Sequence, residues 1–320
     1  MMDLPEGFRG IAPDLRGYGL SPHEAIIDAT RGVGDWVDDA FVLLKTLKVQ
    51  RFHLVGHSLG GMVCWGVLAD RRFAGRIESV TLVAPAPPCG FGGVHGVEAD
   101  PNNPDYSGSG AGLVQRRLVE LIAKGERGIS DPFFSPRAVM NRMFWKPPFR
   151  PAREEAFLSA LLQVHLGERE FPGDSAPSEY WPGFAPGRFG PINAIAAKYN
   201  RDLPRRVLDL PSKPPLLVII GDADPVISDA SQPDAGFQGK TGSRPGWPGE
   251  EAFPPQPLLT QLRSALSQYE ARGGQVEQHV IADCGHSPFI EKPREFQQLF
   301  FGFLVRAGLA VRTGMRQAAR

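Results

Sequence analysis

The sequence predicts an α/β protein built on a mostly parallel sheet flanked by helices. Three observations support this fold class. Apolar strand candidates alternate with helical patterns over residues 34–84, another apolar strand candidate covers residues 216–220, and a glycine-flanked serine stands between a strand and a helix. Because strands buried on both faces of a parallel sheet read as continuous apolar runs, this alternation predicts β-α-β connections.

The N-terminal region begins with a strand candidate at residues 7–12, followed by a glycine-punctuated loop at residues 14–21. A carboxylate and a guanidinium two positions apart in such a loop usually bond to nearby backbone groups. We therefore expect Asp14 and Arg16 to fix the loop rather than to react. Residues 34–48 then show the apolar spacing of an amphipathic helix, with aspartates in its first turns and lysines near its end.

The stretch 51–65 is the centre of the predicted fold, because it reads as a strand, a serine between glycines and a helix. In a nucleophile elbow of the form G-x-S-x-G, the serine occupies a strained strand-to-helix turn that lifts its hydroxyl above the sheet. Gly56 and Gly60 would let the helix approach the strands closely, and the helix N-terminus would direct free N–H groups toward Ser58. Ser58 is therefore the predicted nucleophile, and an ordinary turn serine is the alternative.

The strand predicted at residues 79–84 is followed by a long region rich in proline, glycine and aromatic residues. A helical period is visible only at residues 152–166, and the region is too long and too apolar for a simple loop. We expect residues 85–210 to form a cap inserted into a core made of residues 1–84 and 211–320. Most of its aromatic side chains are expected to pack within the cap.

The second half of the predicted core resumes after the cap. It comprises a strand at 216–220, a second insertion at 228–257, a helix at 258–269, a strand at 276–282 and a final helix at 294–307.

A serine nucleophile needs a base to take its proton and a carboxylate to orient that base. Reactive groups in open α/β sheets gather at the carboxyl ends of the strands. Asp222 and Asp224 directly follow one predicted strand, and His286 follows the last one. The residues after Ala84 offer no carboxylate, so the acid is expected at Asp222 or Asp224 and the base at His286.

Four stretches together resemble the α/β-hydrolase superfamily, in its serine-nucleophile branch with a cap: residues 14–19, 56–61, 221–225 and 284–293. The resemblance covers residues 7–84 and 211–307. It implies that the acid lies three residues after the glycine that ends its strand, which selects Asp224, and that the Leu59 N–H forms half of the oxyanion hole. The catalytic residues implied are thus Ser58, Asp224 and His286.

The resemblance also implies earlier strands, with a His-Gly loop for the other half of the oxyanion hole, so we expect this chain to lack the first strands of the fold. In that fold the third strand lies between the strands expected at 7–12 and 51–55. Its loss predicts an open slot beside residues 51–55 and poor solubility.

The other histidines are expected to have structural roles. His57 adjoins the nucleophile but should point elsewhere on the turn, and His53 and His279 lie inside strands. No motif surrounds the remaining three, which are His23, His95 and His165.

The expected activity is hydrolysis of a carboxylic ester through an acyl-enzyme. Amide, lactone or carbon-carbon bond hydrolysis would use the same three residues, whereas related dehalogenases and epoxide hydrolases carry aspartate in place of Ser58. The aromatic cap favours a small, partly apolar substrate. The alternative is a truncated, catalytically weak or inactive α/β-hydrolase remnant, or a binding module.

Composition narrows the class of protein further. The 320 residues suffice for one large domain with an insertion, and 35 basic residues balance 35 acidic ones, which argues against a nucleic-acid partner. No apolar run approaches the roughly 18 residues of a membrane span, and residues 1–8 do not read as a secretory signal, so a cytoplasmic location is expected. Three cysteines without metal-like spacing indicate reduced thiols. Neither cofactor nor metal is predicted, and the oligomeric state is left open.

Overall fold

The computed structural model describes residues 4–318, with side chains described through residue 308. The first part of the core alternates helices and strands as the sequence predicts. After a 3-10 helix at Ala29–Arg31, its elements are α1 (Gly34–Thr46), β1 (Phe52–His57), α2 (Leu59–Leu68), a 3-10 helix at Arg71–Phe73 and β2 (Ile77–Val83).

The region between residues 84 and 215 consists of short elements rather than a second large sheet. Three two-stranded pairs are formed by β3 with β4, β5 with β6, and β7 with β8. In chain order the elements are β3 (Val94–His95), β4 (Asp100–Pro101), a 3-10 helix at Gly110–Leu113, α3 (Arg116–Ala123), α4 (Pro136–Met143), α5 (Glu154–Leu161), β5 (Leu166–Gly167), β6 (Phe171–Pro172), β7 (Ser175–Pro177), β8 (Phe184–Pro186), α6 (Pro191–Ala194), α7 (Ala197–Asn200) and α8 (Leu203–Leu208).

The remaining core elements return to the main sheet. They are β9 (Leu216–Gly221), α9 (Ala235–Lys240), α10 (Leu258–Ala271), β10 (Val276–Ile281), α11 (Pro288–Glu291) and α12 (Pro293–Ala318).

The main sheet has the strand order β1-β2-β9-β10, and all three pairings are parallel. Its two faces follow from the alternation of side chains along a strand. On β9, Leu216, Val218 and Ile220 pack into the core shared with α1, α2 and α10, whereas Leu217 and Ile219 pack into the core beneath α12. Every residue of β9 is buried, in keeping with its place between β2 and β10. The predicted parallel sheet flanked by helices is confirmed.

Several predicted boundaries shift. The strand predicted at 79–84 begins at Ile77, and the final helix extends to Ala318. The helix predicted at 152–166 is limited to Glu154–Leu161, because Leu166–Gly167 pairs with Phe171–Pro172 instead. No helix within residues 4–318 is long and apolar enough to span a bilayer.

The strand predicted at residues 7–12 is wrong. These residues belong to no strand, and Ile11 is 38% exposed. A strand forms only when its N–H and C=O groups pair with a neighbour, and within the described chain β1 pairs with β2 alone. The expected open edge beside β1 is therefore confirmed: residues 8–12 do not pair with 52–57, and Val55 is 47% exposed.

The loop after residue 13 is fixed as predicted by Asp14 and Arg16. The Asp14 carboxylate accepts the Leu20 N–H at 2.9 Å. Arg16 donates two bonds to Asp39 of α1, at 2.9 and 2.5 Å, and a third to the Ile26 carbonyl at 2.9 Å. These bonds tie the loop to the start of the core.

The contact of α2 with β1 depends on Gly56. A Cβ at this position would overlap the Gly60 carbonyl oxygen and lie 2.5 Å from the Cys64 sulfur. Cys64 is buried in α2. The absence of a side chain at Gly56 therefore lets the helix lie directly on the strand that precedes Ser58.

We predict that Gly56→Ala lowers the free energy of unfolding by about 1–3 kcal/mol, since the helix must move away from the strand. At Gly60 a Cβ would meet no atom within 4 Å, so the expectation that this glycine also permits the close approach is wrong. Gly60→Ala is therefore the matched control, and alanine favours a helix. Urea unfolding of both variants measures the difference. Equal stability of the two would contradict the close approach.

Candidate active site

Ser58 occupies a strained turn between the carboxyl end of β1 and the first residue of α2. Its backbone has φ 53° and ψ −117°, a conformation that non-glycine residues rarely adopt. The turn is held from both sides: the Ser58 N–H donates to the Val83 carbonyl at 3.0 Å, and the Gly61 N–H donates to the Ser58 carbonyl at 2.9 Å. This is the backbone expected of a nucleophile elbow.

The N-terminus of α2 presents unpaired donors beside this turn. The N–H of Leu59, the first helical residue, has no hydrogen-bond acceptor within residues 4–318. The first N–H groups of a helix lack intrahelical partners and carry the positive end of its dipole. Leu59 therefore offers a donor to an anionic group near Ser58.

Asp224 and His286 are in direct contact. His286 Nδ1 lies 2.8 Å from Asp224 Oδ2, and the two side chains are only 4% and 0% exposed. The other carboxylate oxygen of Asp224 accepts the N–H groups of Val226 and Ile227 at 2.7 and 3.0 Å. Asp224 thus joins His286, in the loop after β10, to the turn after β9.

The charge of Asp224 is stabilised by these partners. Burial alone would raise the pKa of the Asp224 carboxyl. The neighbouring His286 and the N–H groups that donate to the Asp224 carboxylate outweigh burial, so the pKa is lowered. The Asp224 carboxylate can only accept a hydrogen bond, so Nδ1 of His286 carries the proton that is donated to it. In the neutral ring, Nε2 then has the free lone pair. Within the described residues, no hydrogen bond joins Ser58 to His286.

Asp222 has a different position. Its carboxylate accepts the Cys284 N–H at 3.3 Å and, among residues 4–308, forms no hydrogen bond with His286. The preceding residue, Gly221, lets the turn after β9 lie against the loop after β10. A Cβ at Gly221 would overlap the carbonyl oxygens of Cys284 and Gly285. The structure therefore brings Asp224 to the histidine and leaves Asp222 in the turn.

His57 contacts the loop that carries His286, contrary to the expectation that it points elsewhere. Its Nε2 lies 2.8 Å from the His286 carbonyl oxygen, and the two ring centroids are 4.8 Å apart. A carbonyl only accepts, so Nε2 of His57 carries the proton. Burial and the neighbouring His286 lower the pKa of His57, which keeps it neutral and avoids a second positive charge beside His286.

Glu291 is a second residue that the sequence reasoning missed. One of its oxygens accepts the Gly285 N–H at 2.7 Å, and the other accepts the Lys146 N–H at 2.8 Å. It thereby connects the backbone beside His286 to the long segment between β2 and β9. The only sequence signal was its place in the stretch 284–293, since no spacing rule indicates that its side chain turns back onto Gly285.

Three other histidines have local partners. His53 bonds to Ser79, His95 to Asn102 and His279 to Glu277, each at 2.8 Å. The remaining two, His23 and His165, lie together near Glu170.

A cavity of about 330 Å³ lies elsewhere, between the start of the inserted segment, α8 and α10. Neither Ser58, Asp224 nor His286 lines it.

We predict that Glu291→Gln costs about 1–3 kcal/mol of unfolding free energy, because the amide NH₂ would face a buried backbone N–H and leave it unpaired. The control is Glu295→Gln, which makes the same change at an exposed position four residues later. Urea unfolding compares them, and an unchanged midpoint for Glu291→Gln would argue against the two-sided bond.

Comparison with known proteins agrees with this architecture. The chain is 26% identical to a 2-hydroxymuconate semialdehyde hydrolase of Pseudomonas sp. (strain CF600), over 97% of this chain and 81% of that protein. A shorter match, 40% identical over 25% of this chain and 29% of the relative, is to a putative carbamate hydrolase of Variovorax paradoxus. An esterase structure from Exiguobacterium antarcticum covers 91% of this chain and 79% of its own at 13% identity, with a TM-score of 0.50. The sequence profile of the alpha/beta hydrolase family matches residues 3–299, so the chain belongs to that family.

Proposed function

We propose that this protein is a serine hydrolase that cleaves carboxylic esters, with Ser58 as nucleophile, His286 as base and acid, and Asp224 as the residue that orients His286. The observation that carries the proposal is the buried 2.8 Å contact between Asp224 and His286 at the same sheet edge as the strained Ser58 turn. Membership of a hydrolase family supports the reaction class.

In the proposed first step, Ser58 Oγ attacks the ester carbonyl carbon while His286 Nε2 takes the hydroxyl proton. Asp224 keeps the proton on Nδ1 and stabilises the imidazolium that forms. The ground-state structure lacks the Ser58–His286 hydrogen bond, and such bonds commonly tighten only when substrate is bound. The carbonyl oxygen becomes an oxyanion, for which we propose the Leu59 N–H as one donor.

The tetrahedral intermediate then collapses. His286 returns its proton to the leaving alcohol, and the acyl group remains on Ser58. Water attacks this acyl-enzyme with His286 as base, which releases the carboxylic acid and restores the serine hydroxyl. Neutral His57 has a supporting part in the proposal, since its bond to the His286 carbonyl fixes the loop without opposing the imidazolium.

Residues 85–210 are proposed as the cap over this site. Two contacts support that position: the Lys146 N–H reaches Glu291, and the His165 N–H reaches the Gly17 carbonyl at 3.3 Å. The aromatic content of the segment favours a small, partly apolar substrate.

A second candidate is hydrolysis of 2-hydroxymuconate semialdehyde. It rests on the 26% identity to the Pseudomonas enzyme of that name, which extends over nearly the whole chain. A direct comparison of turnover on this compound and on a short p-nitrophenyl ester separates the two candidates.

We predict that a fluorophosphonate probe labels the protein at Ser58 and that Ser58→Ala abolishes the labelling, because only an activated serine reacts with such a phosphonylating group. Peptide mapping by mass spectrometry locates the adduct. Labelling that persists in the variant would remove Ser58 from the proposal, and an unlabelled wild-type protein would favour the binding-module alternative.

We predict further that Asp224→Asn reduces turnover by about 10⁴-fold with the fold retained, because the amide would favour the wrong tautomer of His286. Asp222→Asn is the matched control, since its carboxylate accepts the Cys284 N–H and, among the side chains described, makes no hydrogen bond with His286. Steady-state ester hydrolysis and circular dichroism of both variants check this. A larger loss of turnover in Asp222→Asn than in Asp224→Asn would show that Asp224 is not the residue that orients His286.

A further inference from the structure

A second cluster of reactive side chains lies outside the residues assigned above. One ring nitrogen each of His23 and His165 and one oxygen of Glu170 all lie within 4.8 Å of one another. His23 Nδ1 is 3.2 Å from Glu170 Oε1, and the two imidazole rings stack with centroids 3.5 Å apart. His23 is more than 140 residues away from the other two along the chain, so their meeting is a product of the tertiary fold.

His165 is held in place by one ring nitrogen, as metal-ligating histidines commonly are. The residue is 4% exposed, and its Nε2 lies 3.0 Å from the Gly19 carbonyl oxygen. Because the carbonyl only accepts, Nε2 carries the proton and Nδ1 keeps its lone pair. In the part of the chain that the structure describes, Nδ1 has no hydrogen-bond partner. A bond from the second ring nitrogen to a backbone carbonyl is the usual support of a histidine that binds metal.

Glu170 is held beside His165 by the backbone of one tight turn. The Glu170 N–H donates to the Gly167 carbonyl at 3.2 Å, and the Phe171 N–H donates to the His165 carbonyl at 2.8 Å. The neighbouring Arg169 places its guanidinium over the Phe189 ring, 4.9 Å from the centroid. Two ligand groups are therefore positioned before any ion binds.

His23 supplies the adaptable third group. Its side chain is 70% exposed, so the ring can turn without unpacking the core. This movement is needed, since a metal ion lies near the plane of each ring that binds it and two stacked rings cannot share one ion in that way.

We propose that His23, Nδ1 of His165 and Glu170 form a zinc site that fastens the loop at residues 15–24 to the inserted segment. Two imidazoles and one carboxylate are a common donor set for Zn²⁺, with a water molecule as the fourth ligand. Bonds of about 2.0–2.2 Å in a tetrahedron place ligand atoms about 3.3 Å apart, which is close to the present separation of His23 Nδ1 and Glu170 Oε1. Zinc binding displaces any proton that His23 holds.

The site is independent of the proposed hydrolysis, because none of its ligands is Ser58, Asp224 or His286. It also connects two parts of the chain that already touch, since His165 bonds to both Gly17 and Gly19. A metal ion here would hold the inserted segment against the loop that Arg16 ties to α1.

Zinc titration of chelator-treated full-length protein tests the site, with bound metal measured after equilibrium dialysis and by calorimetry. We expect one Zn²⁺ per chain and a higher midpoint of thermal unfolding with zinc than without it. His23→Ala and Glu170→Gln should each weaken binding by at least about tenfold and remove the thermal shift. His23→Ala changes an exposed side chain and should therefore fold. If His23→Ala does not fold, zinc binding by Glu170→Gln tests the site instead.

The matched control is His279→Ala. His279 also lies 2.8 Å from a carboxylate, that of Glu277, but no third metal-binding side chain lies with this pair among the residues that the structure covers. We expect its zinc binding to equal that of the wild type. The proposal is overturned if the wild type binds no stoichiometric zinc, if the two ligand variants bind it as the wild type does, or if His279→Ala loses as much affinity as they do.

Discussion

The close backbone contact between the end of β9 and the loop after β10 is the constraint on which the candidate site depends. At Gly221 there is no room for a Cβ, and the Ala223 N–H donates to the Cys284 carbonyl at 2.9 Å. This contact brings Asp224 within 2.8 Å of His286 in a place where burial opposes the carboxylate charge. The hydrogen bonds that Asp224 accepts offset that cost. The charge of Asp224 therefore depends on the same backbone packing that brings it to His286.

The same loop is supported from two further directions. Glu291 joins the Gly285 N–H to the Lys146 N–H, and at Gly285 a Cβ would lie 2.6 Å from the Lys146 nitrogen. His57 holds the His286 carbonyl from the end of β1. The inserted segment and the Ser58 turn therefore both contact the backbone around His286, which couples its position to the docking of that segment.

The parts of the site that the sequence predicts are those set by local chemistry. The strained turn at Ser58 follows from the glycine-flanked motif between β1 and α2. The residues alone left Asp222 and Asp224 open; the family resemblance implied Asp224, and it is Asp224 that contacts His286. The missed contacts, those of His57, Glu291 and His165, join segments far apart in the chain and depend on tertiary packing. The wrong strand at residues 7–12 has the same origin, since a strand requires a partner that no local pattern specifies.

The central claim is that the Asp224–His286 pair makes Ser58 a nucleophile that carries the acyl group between two half-reactions. Rapid acid quenching during turnover of a short p-nitrophenyl ester, followed by intact-protein and peptide mass spectrometry, tests it most directly. The account predicts a transient mass increase equal to one acyl group, located on the peptide that contains Ser58. Ester turnover with no adduct at Ser58, or with the acyl group on another residue, would contradict it.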